Sequence, residues 1–283
     1  MRELTFEVTQ SENGLTALDL LKGRGFSRRI VTKLKQSGGL TRGGAVLRSV
    51  DRVFFGETVR VRLPEDAAAV VPNPDVKAAA VYEDEDVVVF DKPPYLPTHP
   101  SIGHYTDTLA NLFAAMYPNI SFRPLNRLDR NTSGLCVCAK NRLAASALRG
   151  KVSKVYYAAV DGRISEAGSV SAPIGRVSDS IIKRAVRPDG QPAKTLYKPV
   201  LWENGRTLLA VTLLTGRTQQ IRVHMAHIGF PLCGDEMYGG SCSDIARQAL
   251  HCGEVEFTNP VTGELVSLKS DIPEDISRLF EKM

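Results

Sequence analysis

Arg127, Asp129 and Arg130 fall within four consecutive positions of the polar segment PLNRLDRNTSGL, residues 124–135. A carboxyl group set between two guanidinium groups is held ionised by opposite charge, which lowers its pKa and keeps it available as a nucleophile. The plainer reading of this segment alone is a surface turn with local ion pairs. A second polar segment, TGRTQQIRVHMAHIG at 215–229, reads as a Gly-Arg turn leading into a helix capped by Thr218 and stopped at Gly229, with Pro231 just beyond. Ile221, Met225 and Ile228 form the buried stripe of that helix and leave Arg222 at its border. From there an arginine can pair inward with a buried carboxylate or outward with phosphate. A third segment, DKPPYLPTHPS at 91–101, sets four prolines and two charged residues after the apolar run VVVF. It predicts a rigid, non-helical loop at a strand end.

Such loops need a scaffold. From Val81 onward, strand-like and helix-like stretches alternate: VVVFDK, TDTLANLFAAMY, GLCVCAK, NRLAASALRG, VYYAAVDG and RTLLAVTLL. The pattern predicts a mixed α/β body with a substantial sheet and no internal repeat. Ahead of it, residues 15–23 and 27–37 read as two short helices, the second opened by Ser27 at the N-cap. Ile30, Val31 and Leu34 share one side of the second helix, while Arg28, Arg29 and Lys33 make the other side basic. A Gly43-Gly44 turn and the alternating ETVRVRL then predict small strands. Residues 64–80, with three prolines and many small side chains, read as a linker. The expected domains are therefore 1–63 and 81–283.

Charge divides the chain in the same way. Residues 1–63 carry twelve Lys and Arg against six Asp and Glu, whereas the remaining residues carry 24 against 25. A small basic module on a near-neutral body suits a polyanion, and a solvated basic face is the alternative. No stretch approaches the roughly 20 apolar residues that span a bilayer, and the first residues lack the apolar centre of a secretory signal, so a cytoplasmic location is expected. Five scattered cysteines without a C-x-x-C pair predict buried thiols rather than disulfides or a zinc knuckle. His224-x-x-His227 with Cys233 is a weak metal signal, because a fourth ligand is not recognisable, and no metal is expected.

Together these segments resemble the RluA-type family of pseudouridine synthases. The family's HRLDRxTSG motif corresponds to Asn126 through Gly134, and its GRTHQIRVH motif to Gly216 through His224. KVYYAAVDG matches its K-x-Y-x-A-x-V pattern and supplies Lys154 and Tyr156, GQPAKTLY matches a G-x-x-A-x-T segment, and DKPPYLPTHPS matches its Lys-Pro and His-Pro loop. The first 63 residues resemble the S-four type RNA-binding domain. The resemblance implies an α+β catalytic core with a mixed, largely antiparallel sheet flanked by helices and loops, preceded by a small RNA-binding domain. It implies isomerisation of uridine to pseudouridine in structured RNA, ribosomal before transfer RNA, by a monomer without cofactor.

In that reading Asp129 acts at the glycosidic centre, Tyr156 lies against the flipped base and assists removal of the carbon 5 proton, and Arg222 holds Asp129 ionised and oriented. Arg127, Arg130 and Arg217, with Lys154 and Lys92, are the candidates to hold the distorted RNA, and Arg28, Arg29 and Lys33 to bind phosphates on the first domain. Asn126 and Gln219 stand where the family usually has histidine; an amide keeps a positioning role but cannot titrate. A glycosidase would need a second carboxylate beside the bond being cut, and these arginine-bearing motifs supply only Asp129. A catalytically silent RNA-binding protein is the non-enzymatic alternative, favoured by the two amides and opposed by the joint presence of Asp129, Tyr156 and Arg222.

Overall fold

The computed structural model describes residues 2–63, 70–177 and 182–281; residues 64–69 of the expected linker lie outside them. The N-terminal module comprises β1 (Glu3–Glu7), α1 (Ala17–Gly23), α2 (Arg28–Ser37), β2 (Leu40–Arg42), β3 (Ala45–Val46) and β4 (Thr58–Arg62). Its strands form an antiparallel sheet of order β1-β4-β2-β3. Thr16 and Ser27 cap the two helices, accepting from the amides of Asp19 and Ile30. Ile30, Val31 and Leu34 are buried with Leu20, Leu21, Val59 and Val61, so the apolar stripe of α2 meets the sheet and its basic side faces outward.

The body contains β5 (Ala79–Glu83), β6 (Val87–Lys92), α3 (Leu109–Met116), β7 (Ser133–Ala139), α4 (Arg142–Ala147), β8 (Ser153–Asp161), β9 (Gly168–Ser171), β10 (Ile174–Arg176) and β11 (Arg184–Val186). Then come β12 (Lys194–Glu203), β13 (Arg206–Leu213), α5 (Gln220–His227), β14 (Leu250–Thr258), β15 (Leu265–Lys269) and α6 (Glu274–Ser277). Ala79 and Ala80, read from sequence as the end of the linker, open β5 and pair with Asp91 and Phe90. Among the described residues nine strands make one sheet, β5-β6-β7-β14-β8-β13-β12-β9 with β15 on β14. The β7–β14 pair is parallel and the other pairs are antiparallel. The sheet is thus mixed and largely antiparallel, as expected. No helix among the described residues is long and apolar enough to cross a membrane.

Burial explains the order. The runs VVVF of β6 and SGLCVCA of β7 are buried along their whole length, which suits central strands covered on both faces. Leu109, Leu112 and Phe113 of α3 and Ile221 and Met225 of α5 pack into the same core. At the parallel junction Gly134 lies opposite Cys252 with φ of 106°, and a Cβ there would stand 2.3 Å from the Cys252 carbonyl oxygen. A side chain at this position would push β7 and β14 apart, so the segment carrying Asp129 must enter β7 through glycine.

Helix α5 departs from the sequence reading in two respects. It begins at Gln220 rather than after Thr218, because Gln219 takes a left-handed backbone, φ 57° and ψ 22°. The Gln220 carboxamide folds back on the preceding turn, its Oε1 accepting from the Arg217 amide at 3.0 Å and from Thr215 Oγ1 at 2.9 Å. The helix is also buried on more than one side. Arg222, expected at the border of the apolar stripe, is 6% exposed, and Val223 and His224 are buried beside it.

Candidate active site

Asp129 sits on a loop whose backbone is tied down from both directions. Upstream, Leu125 donates to the Val137 carbonyl at 2.7 Å, and Asn126 bridges β7 through Nδ2 to the Leu135 carbonyl and Oδ1 from the Val137 amide. Asn126 is therefore a buried clamp, a positioning task for which an amide suffices. Thr98, from the proline-rich loop, donates to the Leu128 carbonyl at 2.7 Å. Downstream, the Asn131 carbonyl accepts from Arg247, and the Thr132 hydroxyl from Gln248. The peptide carrying Asp129 is held before the side chain makes any contact.

The side chain meets Arg222, whose Nη1 donates to Asp129 Oδ2 at 3.0 Å. The same guanidinium is gripped by Asp235 through Nε at 2.6 Å and Nη2 at 2.7 Å, and it lies 5.0 Å from the ring centre of Tyr238. Burial opposes the charge on Arg222, but Asp235 and then Asp129 more than offset it and raise its pKa above the ordinary arginine range. Arg222 is thus permanently cationic, and it turns one oxygen of Asp129 to the protein interior. Tyr238 also donates to Gln219 Oε1 at 2.7 Å, which ties the left-handed start of α5 to this cluster.

Asp129 opens on a cavity of about 620 Å³. Such a volume falls in the range of roughly 300–1,000 Å³ typical of small-ligand sites. Tyr156 of β8 lines the same cavity, as do Arg127, Arg130, Lys154 and Arg217. Tyr156 is 6% exposed and lies between Cys252 on β14 and Val211 on β13. Burial, first, and then the neighbouring Cys252 and the charge of Asp129 push its hydroxyl well above the usual phenol range, so it is a neutral, protonated donor. Among the described residues lining the cavity, Asp129 is the sole carboxylate, so the second acid that a glycosidase requires is not found there.

The structure therefore brings Asp129, Tyr156, Arg222, Arg127, Arg130, Arg217 and Lys154 to one place. Lys154 is half-buried, and burial lowers its pKa while its ammonium donates to the Val152 carbonyl. Lys92 corrects the sequence reading. It is wholly buried, and its ammonium donates to the carbonyls of Pro93, Leu96 and Arg130, so it braces the loop next to Asp129 and presents no charge to RNA. Arg28 and Arg29 are exposed and Lys33 half-buried on α2, outside this cavity. His224, considered as a metal ligand, spends both ring nitrogens on Thr195 Oγ1 and the Ala172 carbonyl. Sequence reasoning missed Asp235 and Tyr238. Their segment, GDEMYGG, has the same polar, glycine-punctuated character as the three segments that were singled out.

The RNA pseudouridylate synthase family model matches residues 86–227, a span that holds both Asp129 and Arg222. The chain belongs to this family. It is 39% identical over 270 residues to "Uncharacterized RNA pseudouridine synthase YjbO" of Bacillus subtilis, covering 91% of this chain and 95% of the relative. It is 38% identical over 263 residues to "Ribosomal large subunit pseudouridine synthase D" of Pseudomonas aeruginosa, covering 85% of this chain and 82% of that protein. Among solved structures it resembles "Human RNA Pseudouridylate Synthase Domain Containing 1", with a TM-score of 0.57 and 26% identity, covering 71% of this chain and 85% of the other. As an RNA pseudouridine synthase the chain is an isomerase, and its substrate is RNA.

Proposed function

We propose that this RNA pseudouridine synthase converts a uridine of structured large-subunit ribosomal RNA to pseudouridine, with Asp129 as the catalytic carboxylate. The carrying observation is that Asp129, held by Arg222, lines one cavity together with Tyr156. Net isomerisation breaks the bond from ribose C1′ to uracil N1, turns the base, joins C5 to C1′, and moves the C5 proton to N1. Either addition of the carboxylate to C1′ or removal of a ribose proton calls for a carboxylate oxygen at the sugar, and Arg222 fixes Asp129 in place for it. Tyr156 packs against the uracil and assists removal of the C5 proton as a relay, its neutral hydroxyl accepting on oxygen while it passes its own proton on.

A base within a duplex cannot enter this cavity, so the nucleotide is flipped out, and Arg127, Arg130, Arg217 and Lys154 receive the phosphates and the gap. Arg28, Arg29 and Lys33 on α2 add phosphate contacts from the N-terminal module. The ribosomal preference draws on the name of the Pseudomonas aeruginosa relative and on that basic module. A ribosomal substrate implies a cytoplasmic enzyme. Mapping pseudouridine across total RNA from cells with and without this protein tests the reading. One or a few large-subunit ribosomal positions should lose pseudouridine when the protein is absent, and a map unchanged in all RNA would refute it.

A further inference from the structure

Where the N-terminal module meets the body there is a second cavity, of about 590 Å³. Arginines from separate segments line it: Arg29 on α2, Arg123 on the approach to the Asp129 loop, Arg142 on α4, and Arg149 just after α4. Among the described residues, no Asp or Glu lines it. Four guanidinium groups converging from separate segments on one groove match a polyanion in charge. Their planar forks match phosphate oxygens better than they match a compact anion or an apolar partner.

The groove has fixed walls. Leu143 of α4 is buried in the core of the N-terminal module. Arg2 pairs with Asp86, which also accepts from Asn141 Nδ2 at 2.6 Å, while Asn141 Oδ1 caps α4 through the Ala144 amide. Arg123 is itself positioned, its Nη1 donating to the Ser121 carbonyl at 2.9 Å. The groove also leads somewhere. Pro124 and Leu125 line both it and the active-site cavity, and Arg149 adjoins Gly150, which lines that cavity too. The two cavities therefore adjoin at Pro124 and Leu125, which places the arginine-lined groove next to the Asp129 loop.

We propose that this groove between α2 and α4 is a phosphodiester-binding site, which holds the RNA strand flanking the uridine presented to Asp129. The proposal rests on the reading of the chain as an RNA pseudouridine synthase and adds to it the route of the strand. It makes the N-terminal module one jaw of the substrate site rather than a separate anchor.

The test uses the full chain and an unmodified transcript of large-subunit ribosomal RNA, with affinity measured across a range of salt concentrations. Arg29 and Arg149 are exposed, so the double variant Arg29→Gln/Arg149→Gln should keep the wild-type melting temperature. Its affinity should fall roughly tenfold at ~0.1 M salt, and the slope of log K against log salt should become shallower by about 1 to 2. Arg149→Lys, which keeps the charge, should keep most of the slope. Lys269→Gln, on β15 and outside both cavities, should bind as the wild type does. An unchanged slope in the double variant, or an equal loss in Lys269→Gln, would overturn the proposal. Failure of the functional reading is separately visible, as a wild-type protein that forms no pseudouridine in any RNA while the binding data stand by themselves.

Discussion

Arg222 meets Asp235 with two nitrogens, at 2.6 and 2.7 Å, and the pair is almost wholly buried. Asp129 receives the third contact, at 3.0 Å, and its side chain remains 31% exposed on the cavity side. The two carboxylates thus divide their tasks. Asp235 fixes the guanidinium in position and balances its charge, and Arg222 in turn fixes Asp129 without enclosing it.

Removing the buried partner should be costly. Asp235→Asn leaves a buried guanidinium without its bidentate counter-ion, a loss of about 3 kcal/mol in unfolding free energy. Because the guanidinium then lacks its anchor, kcat should also fall, with RNA affinity near the wild-type value. Urea titration and single-turnover rates measure the two effects, and a variant unchanged in both would show that Asp235 does not position Arg222.

Tyr156→Phe removes a hydroxyl from the cavity wall and leaves the ring between Cys252 and Val211. The fold should be intact by melting temperature, and pseudouridine formation should drop by about 100-fold or more, as for loss of a group that handles a proton in the transition state. A rate within about twofold of wild type would leave the tyrosine with packing alone.

Much of this site was legible in the residue order, for identifiable reasons. Continuous apolar runs such as VVVF and GLCVCA have one comfortable place, the middle of a covered sheet, so β6 and β7 and the polar loops at their ends could be located. The likeness to a known family supplied the expected roles of Asp129, Tyr156 and Arg222. What escaped depends on contacts between distant segments. A lysine at a strand end reads as exposed, and only the turn at Pro93–Leu96 together with Arg130 brings three carbonyls to Lys92. Nor does spacing reveal that Gln219, rather than Thr218, stands at the N-cap of α5, because its left-handed backbone goes with a bond from Tyr238. Asp235 was missed for the same reason.

Lys92 gives a pH signature. Burial, first, lowers its pKa from 10.5 to about 7, with Cys136 and Asp129 acting in the opposite direction and Arg247 adding to the lowering. The unfolded chain keeps this proton until about 10.5, whereas the folded chain releases it near 7, so between these values the folded state binds fewer protons. Stability contributed through Lys92 should therefore rise as pH increases from about 7 toward about 10. The wild-type urea midpoint minus that of Lys92→Met should increase over this window, and a flat or falling difference would contradict the assignment.

The most direct test is made on Asp129. Purified wild type and Asp129→Asn should be compared on the same unmodified ribosomal transcript, with pseudouridine quantified and RNA affinity measured in parallel. The account predicts that Asp129→Asn loses about 10⁴-fold or more in rate, since an amide can neither add to the sugar nor take its proton. It also predicts that the variant binds RNA nearly as tightly as wild type, because the rim arginines are untouched. Turnover by Asp129→Asn within about tenfold of wild type would mean that another group performs the chemistry.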